Sequence, residues 1–270
     1  MTGNWSTMGM LNICLGIGVL LASIFLPFPE IDLHAAALFY KGGNDFWLRF
    51  TAFNAWSNDF LRPAIGWVAG FLLIYFLFRW ATIPLARIKE LTRLGFFLLC
   101  IVLATGFVVH AVFKDNWGRA RPKHVEIFGG TKEFTPPLLI ADQCDRNCSF
   151  VSGDASLGYV TLALALMAAR RRKLWIAVSL GAGLGLGLLR MMNGSHFLSD
   201  ILFSGVITCG SVLLLYRWVI ERKLETDFAF LQPTWNALSS GIGALIPSAK
   251  TEASKHRRAA LRSRLTGLFR

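Results

Sequence analysis

Apolar residues in this chain run in long unbroken stretches, not in the strict alternation of a half-buried strand. Runs of roughly 17–25 such residues are long enough, as helices, to cross a hydrocarbon core of about 30 Å. Six stretches fit that description, at residues 10–27, 62–82, 94–113, 156–169, 174–189 and 200–219. The fourth and fifth are short as drawn and are expected to extend into their flanks. Helices satisfy their own backbone in lipid, so the pattern predicts an all-α integral membrane bundle of six transmembrane helices.

Composition supports this reading: of 270 residues 54% are hydrophobic and only 16% charged, and the mean hydropathy is +0.50. A disordered or collagen-like chain is excluded and an ordinary soluble domain disfavoured. The net charge of +12 would suggest nucleic acid if it formed a stripe interleaved with aromatics. Instead most Lys and Arg fall on one side of the predicted spans, in the 83–93 loop, at Arg170 to Lys173 and in the tail. The positive-inside rule then places both termini in the cytoplasm, with the 28–61 and 114–155 loops and the 190–199 turn outside. No nucleic-acid partner is expected. The first run lacks a basic n-region and a small-residue cleavage site, so it reads as a retained anchor.

Cys14, Cys100 and Cys209 fall within spans and read as small packing residues. Cys144 and Cys148 lie in an outer loop, where an oxidising compartment would allow a disulfide.

Three elements carry candidate chemistry. Lys114, Arg119, Arg121 and Lys123 cluster at the outer end of the third span, where cations need anionic partners, and Arg190 ends the fifth. Ser152-Gly153-Asp154 opens the fourth, and a helix N-terminus is an anion site, although the same residues suit plain capping. His196 and Asp200, four residues apart, share a helix face if the sixth helix begins there. A carboxylate on one imidazole nitrogen would leave the other as nucleophile or base.

Together these pieces resemble the type 2 phosphatidic acid phosphatase family, which includes vanadium haloperoxidases. Its pattern is Lys, six residues, Arg-Pro; then Pro-Ser-Gly-His; then Ser-Arg, five residues, His, three residues, Asp. Lys114 with Arg121-Pro122 matches the first part, and Arg190, His196 and Asp200 match the third, with Leu189 in place of Ser. The middle part departs at Val151 and at Asp154, which stands where the family has the histidine that protonates the leaving oxygen. The aromatic outer loop and the His-Phe-Leu-Ser-Asp stretch look like the bacterial branch that includes lipid A phosphatases.

The resemblance implies two-step phosphoryl transfer with no cofactor and no metal. Lys114, Arg121, Arg190, Ser152 and Gly153 would bind the phosphate, and His196, oriented by Asp200, would form a phosphohistidine. The general acid is then Asp154, water, or missing. A carboxylic acid is a weak donor beside cations, which favours good leaving groups such as a glycosyl phosphate or a pyrophosphate. The expected function is a lipid phosphatase of the inner membrane, its site facing the periplasm, acting on lipid A or a related glycolipid. Undecaprenyl diphosphate, phosphatidylglycerol phosphate and phosphatidic acid are further substrates of the same chemistry. A phosphotransferase using the same histidine, and a noncatalytic lipid-phosphate binder or transporter, are the alternatives.

The 28–61 loop is rich in Phe, Trp and Tyr, as an interfacial belt or a lid over acyl chains and sugar would be. Gly181, Gly183, Gly185 and Gly187 suggest close helix packing. The domain division expected is a phosphatase domain at 1–223 and a basic tail at 224–270. The end of that tail suits an amphipathic helix on anionic lipid or a solvated segment.

Overall fold

A computed structural model describes residues 6–82, 91–168 and 170–221. The chain divides into two compact units, Met1–Leu73 with Thr92–Glu225, and Ile74–Leu91 with Thr226–Arg270. The second is described only at residues 74–82, the end of a helix, and at Leu91. The first holds every residue singled out above for chemistry. The expected tail at 224–270 lies outside the described residues.

The elements are α1 (Thr7–Phe25), α2 (Glu30–Ala37), a hairpin of β1 (Tyr40–Gly42) and β2 (Asp45–Phe46), then α3 (Ala52–Thr82), α4 (Thr92–Lys114), α5 (Gly153–Leu166), α6 (Arg172–Met192) and α7 (Leu198–Glu221). Ser6 caps α1 by accepting from the Gly9 N–H, and Thr51 caps α3 by accepting from that of Asn54. The hairpin qualifies the all-α expectation. It forms because Gly42, Gly43 and Asn44 all take positive φ, as a tight antiparallel turn requires.

Among the described residues five helices, α1, α3, α4, α6 and α7, are long and apolar enough to cross a membrane. The stretch expected as a fourth span is the shorter α5, about 21 Å long at 1.5 Å per residue. Its environment also differs. Ala155, Tyr159, Leu162, Ala163 and Leu166 are buried against α6, α7 and α4, whereas outer helices show apolar side chains to the surroundings, Val19 at 71% and Trp67 at 80% exposure. A helix enclosed by others does not need the full membrane thickness. Cys14, Cys100 and Cys209 are buried thiols, as their positions in spans suggested.

Half of the α6 glycine row serves close contact with α5 and α7. A methyl group at Gly183 would stand 2.3 Å from Tyr159 and one at Gly187 2.3 Å from Ile201, while Gly181 and Gly185 meet nothing within 4 Å.

Beyond the helix ends, Ala36, Phe46, Ala120, Val125, Phe128 and Phe197 form a second small core. It ties the 28–61 loop to the 115–151 loop. The aromatic loop is thus divided: Phe46 is fully buried, and Phe50 and Phe60 remain exposed. Cys144 and Cys148 are joined as a disulfide.

Candidate active site

The end of α4, the start of α5, the end of α6 and the start of α7 meet at one end of the first unit, and each brings a residue singled out by the sequence. Ser152 caps α5 with its hydroxyl accepting from the Ala155 N–H at 3.4 Å, so the capping reading holds. The cap is also anchored: the Ser152 N–H donates to the Asp200 carbonyl at 3.1 Å, and the Ser204 hydroxyl donates to the Ser152 carbonyl at 2.7 Å. The first N–H groups of a helix have no partner within it, so α5 offers donors and a positive dipole end here. Gly153 brings that end close to α4. A methyl group on it would lie 3.5 Å from Cδ of Lys114 and 2.9 Å from both Cε1 and Nε2 of His110.

His196 is buried, and its Nδ1 lies 2.8 Å from the Ser149 carbonyl oxygen. A carbonyl only accepts, so Nδ1 carries the proton and Nε2 keeps its lone pair. Asp200 faces the same nitrogen: its Oδ2 lies 3.6 Å from Nδ1, within ion-pair reach and longer than an ordinary hydrogen bond. Asp200 also accepts from the Ser149 hydroxyl at 2.5 Å and from the Phe197 N–H at 2.8 Å. Burial pushes the His196 pKa down from 6.5 to about 4; the charges of Lys114 and Arg121 push the same way, and Asp200 opposes them. The ring is therefore neutral at pH 7.

Arg119 is engaged within the protein. Fully buried, it donates to Asp200 at 2.6 Å, to Asp32 at 2.8 Å, to the Ser199 hydroxyl at 2.9 Å and to the Thr135 carbonyl at 2.9 Å. Its guanidinium lies 4.5 Å from the centre of the Phe197 ring. Asp32, on α2, also accepts from the N–H of Ser199 at 2.8 Å. This network fixes the start of α7 to the 28–61 loop and to the residues after α4. Sequence reasoning missed Asp32, since a single carboxylate in a loop carries no motif.

Arg190 forms an ion pair with Asp154 at 3.0 Å and donates to the Ser195 hydroxyl at 3.1 Å and to Asn58 at 3.4 Å. Asp154, the expected acid, is thus held as the ion-pair partner of the guanidinium. Arg121 donates to the Asn147 carbonyl at 2.7 Å. Lys123 is pressed down to about 8 by burial, then by the charges of Arg121, Arg49 and Arg190, which marks a concentration of cations at this face. Arg49 is a second residue that sequence reasoning passed over. Beside the Arg190 and Asp154 pair runs a groove walled by Leu48, Phe53, Ile65, Leu157, Leu186 and Leu189. Polar head and apolar wall together suit an amphiphile with an anionic end.

All eight expected site residues, Lys114, Arg121, Ser152, Gly153, Asp154, Arg190, His196 and Asp200, stand at these four helix ends or in the segments that join them. Comparison with known proteins adds kinship. Residues 95–224 match the model of the PAP2 superfamily. The chain is 37% identical over 228 residues to the lipid A 4′-phosphatase of Francisella tularensis subsp. novicida, covering 80% of this chain and 99% of that protein. It is 28% identical over 218 residues to the lipid A 4′-phosphatase of Rhizobium leguminosarum, covering 72% and 91%, and 28% identical over 199 residues to that of Rhizobium etli, covering 67% and 76%. No solved structure is significantly similar.

Proposed function

The chain belongs to the PAP2 superfamily, and from that premise we propose that it removes the 4′-phosphate of lipid A or a closely related glycolipid. The observation that carries this reading is His196, held by the Ser149 carbonyl as the tautomer with a free Nε2 and buried within the field of Lys114 and Arg121. A neutral imidazole facing cations is a nucleophile beside an anion site. Lys114, Arg121, Arg190 and the Ser152–Gly153 helix start hold the phosphate oxygens and stabilise the charge of the transition state. Asp200 and Asp154 act by positioning, the first through Ser149 and Arg119, the second through Arg190.

In the first step Nε2 of His196 attacks phosphorus, the bond to the sugar oxygen breaks, and a phosphohistidine forms. In the second, water displaces His196 and inorganic phosphate leaves. The lipid is held with its phosphate at the helix ends and its apolar portion along the groove from Leu48 to Leu189.

We read the first unit as the phosphatase domain, with α5 as a sixth, inner helix and both chain ends cytoplasmic. The active end then faces the periplasm of an inner-membrane protein. The basic Arg170 to Lys173 segment at the opposite end of α6 and the disulfide in the 115–151 loop agree with that orientation.

The test is phosphate release from lipid A by detergent-purified protein with EDTA present, beside His196→Ala, with products weighed by mass spectrometry. Release of one phosphate from the 4′ position by the native protein and none by the variant supports the reading. Release that persists in His196→Ala, or none from folded native protein, overturns it.

A further inference from the structure

A 4′ oxygen on a sugar ring is an ordinary secondary alcohol, so it leaves as an alkoxide unless it is protonated. That leaving group is poorer than the glycosyl phosphate or pyrophosphate to which Asp154 pointed. The reaction therefore needs a proton donor beside the phosphate, while Asp154 is occupied with Arg190 at 3.0 Å.

Besides His196, the imidazole of His110 lies against the start of α5. Between Arg93 and Lys114 the only histidine, lysine, arginine or carboxylate is His110. An ionisable side chain in an otherwise apolar membrane helix is costly and is ordinarily retained for function. The last part of α4 winds with wide π-helical turns, seen in the Asp115 N–H bonded to the His110 carbonyl at 3.2 Å, a local geometry frequent at functional sites. That winding sets His110 and Lys114 over the same point. A methyl group at Gly153 would stand 2.9 Å from Nε2 of His110 and 3.5 Å from Cδ of Lys114, so the imidazole edge lies against the first turn of α5, where the phosphate is held. The His110 side of α4 is open, whereas Lys114 is buried.

From this juxtaposition we infer that His110 is the proton donor to the leaving oxygen, a catalytic residue that takes over the task of the histidine absent at position 154. The inference rests on the proposed phosphatase reading. As His196 Nε2 bonds to phosphorus, the electron pair of the breaking P–O bond passes to the sugar oxygen, which takes the proton of the His110 imidazolium. In the second step a water oxygen bonds to phosphorus, the pair of the N–P bond returns to Nε2 of His196, and neutral His110 accepts the water proton. The imidazolium is restored and phosphate departs. Gly153 is required because any side chain there would displace the donor.

The experiment compares kcat/KM for lipid A and for 4-nitrophenyl phosphate, whose phenolate leaves without a proton, in the native chain and in His110→Gln, His110→Asn, Asp154→Asn and His196→Ala. Expected for either His110 variant is a loss of about 10²–10⁴-fold on lipid A and less than about tenfold on the aryl phosphate. Two variants of different size guard against a misfolded one. An equal loss on both substrates, no loss on lipid A, or the leaving-group-selective loss appearing in Asp154→Asn instead would overturn the inference. Activity surviving in His196→Ala would reject the phosphohistidine reading itself, and is distinguishable because it leaves the His110 comparison intact.

Discussion

Ser149 stands between His196 and Asp200: its carbonyl accepts from the imidazole Nδ1–H at 2.8 Å, while its hydroxyl donates to the carboxylate at 2.5 Å. The histidine is thus aimed by backbone, and the carboxylate holds the backbone. Replacing the Ser149 hydroxyl keeps the first contact and removes the second. Ser149→Ala is expected to retain measurable turnover with reduced kcat, whereas Asp200→Ala loses both activity and fold. Steady-state kinetics beside thermal unfolding separate the two, and matching losses of stability would contradict this division.

Arg119 joins two buried carboxylates, and removing one member of such a set strands the others. Arg119→Leu is expected to destabilise the protein by about 3–5 kcal/mol, because Asp32 and Asp200 would remain buried without their cation. Arg119→Lys should rescue little, since one ammonium cannot span both carboxylates and the Thr135 carbonyl. Unfolding in detergent, followed by circular dichroism, measures both.

The pKa of His196 is depressed from 6.5 to about 4 by burial, so the unfolded chain takes up its proton first. Stability from this group is complete above about pH 6.5 and falls as the pH drops toward 4. Between pH 7 and pH 5 the native protein should therefore lose more stability than His196→Gln. A loss of the same size in the variant would assign the titration to another group.

The glycines of α6 separate into two kinds. Gly183→Ala and Gly187→Ala should each cost about 1–3 kcal/mol by forcing Tyr159 or Ile201 aside, and Gly181→Ala and Gly185→Ala should be neutral. Melting temperatures of the four variants decide it. Uniform effects would mean that α6 faces its neighbours differently.

Gly153→Ala tests the close approach at the site. The added methyl would press on His110 and Lys114, so activity should fall at least tenfold while the melting temperature changes little. Unaltered turnover would show that His110 need not lie where it does.

The sequence by itself determined the class of the protein and the chemistry at its core. Long unbroken apolar runs point to membrane helices, and the spacings of Lys114 to Arg121 and of Arg190 through His196 to Asp200 carry the resemblance to a phosphatase family. What it could not decide were relations set by packing between distant segments. The α5 stretch looked like a span, yet enclosure by α4, α6 and α7 makes it a short inner helix. The spacing of His196 and Asp200 pointed to their pairing at 3.6 Å, but not to the carbonyl of Ser149, 47 residues from His196, that accepts the Nδ1–H. Arg119 read as one of several cations in need of an anionic partner, and the fold supplies Asp32 across 87 residues. His110 carries no motif, and only the close passage of Gly153 against α4 sets it at the site. Sequence spacing governs contacts within one helix turn, whereas a contact across loops is set by which faces the folded chain buries.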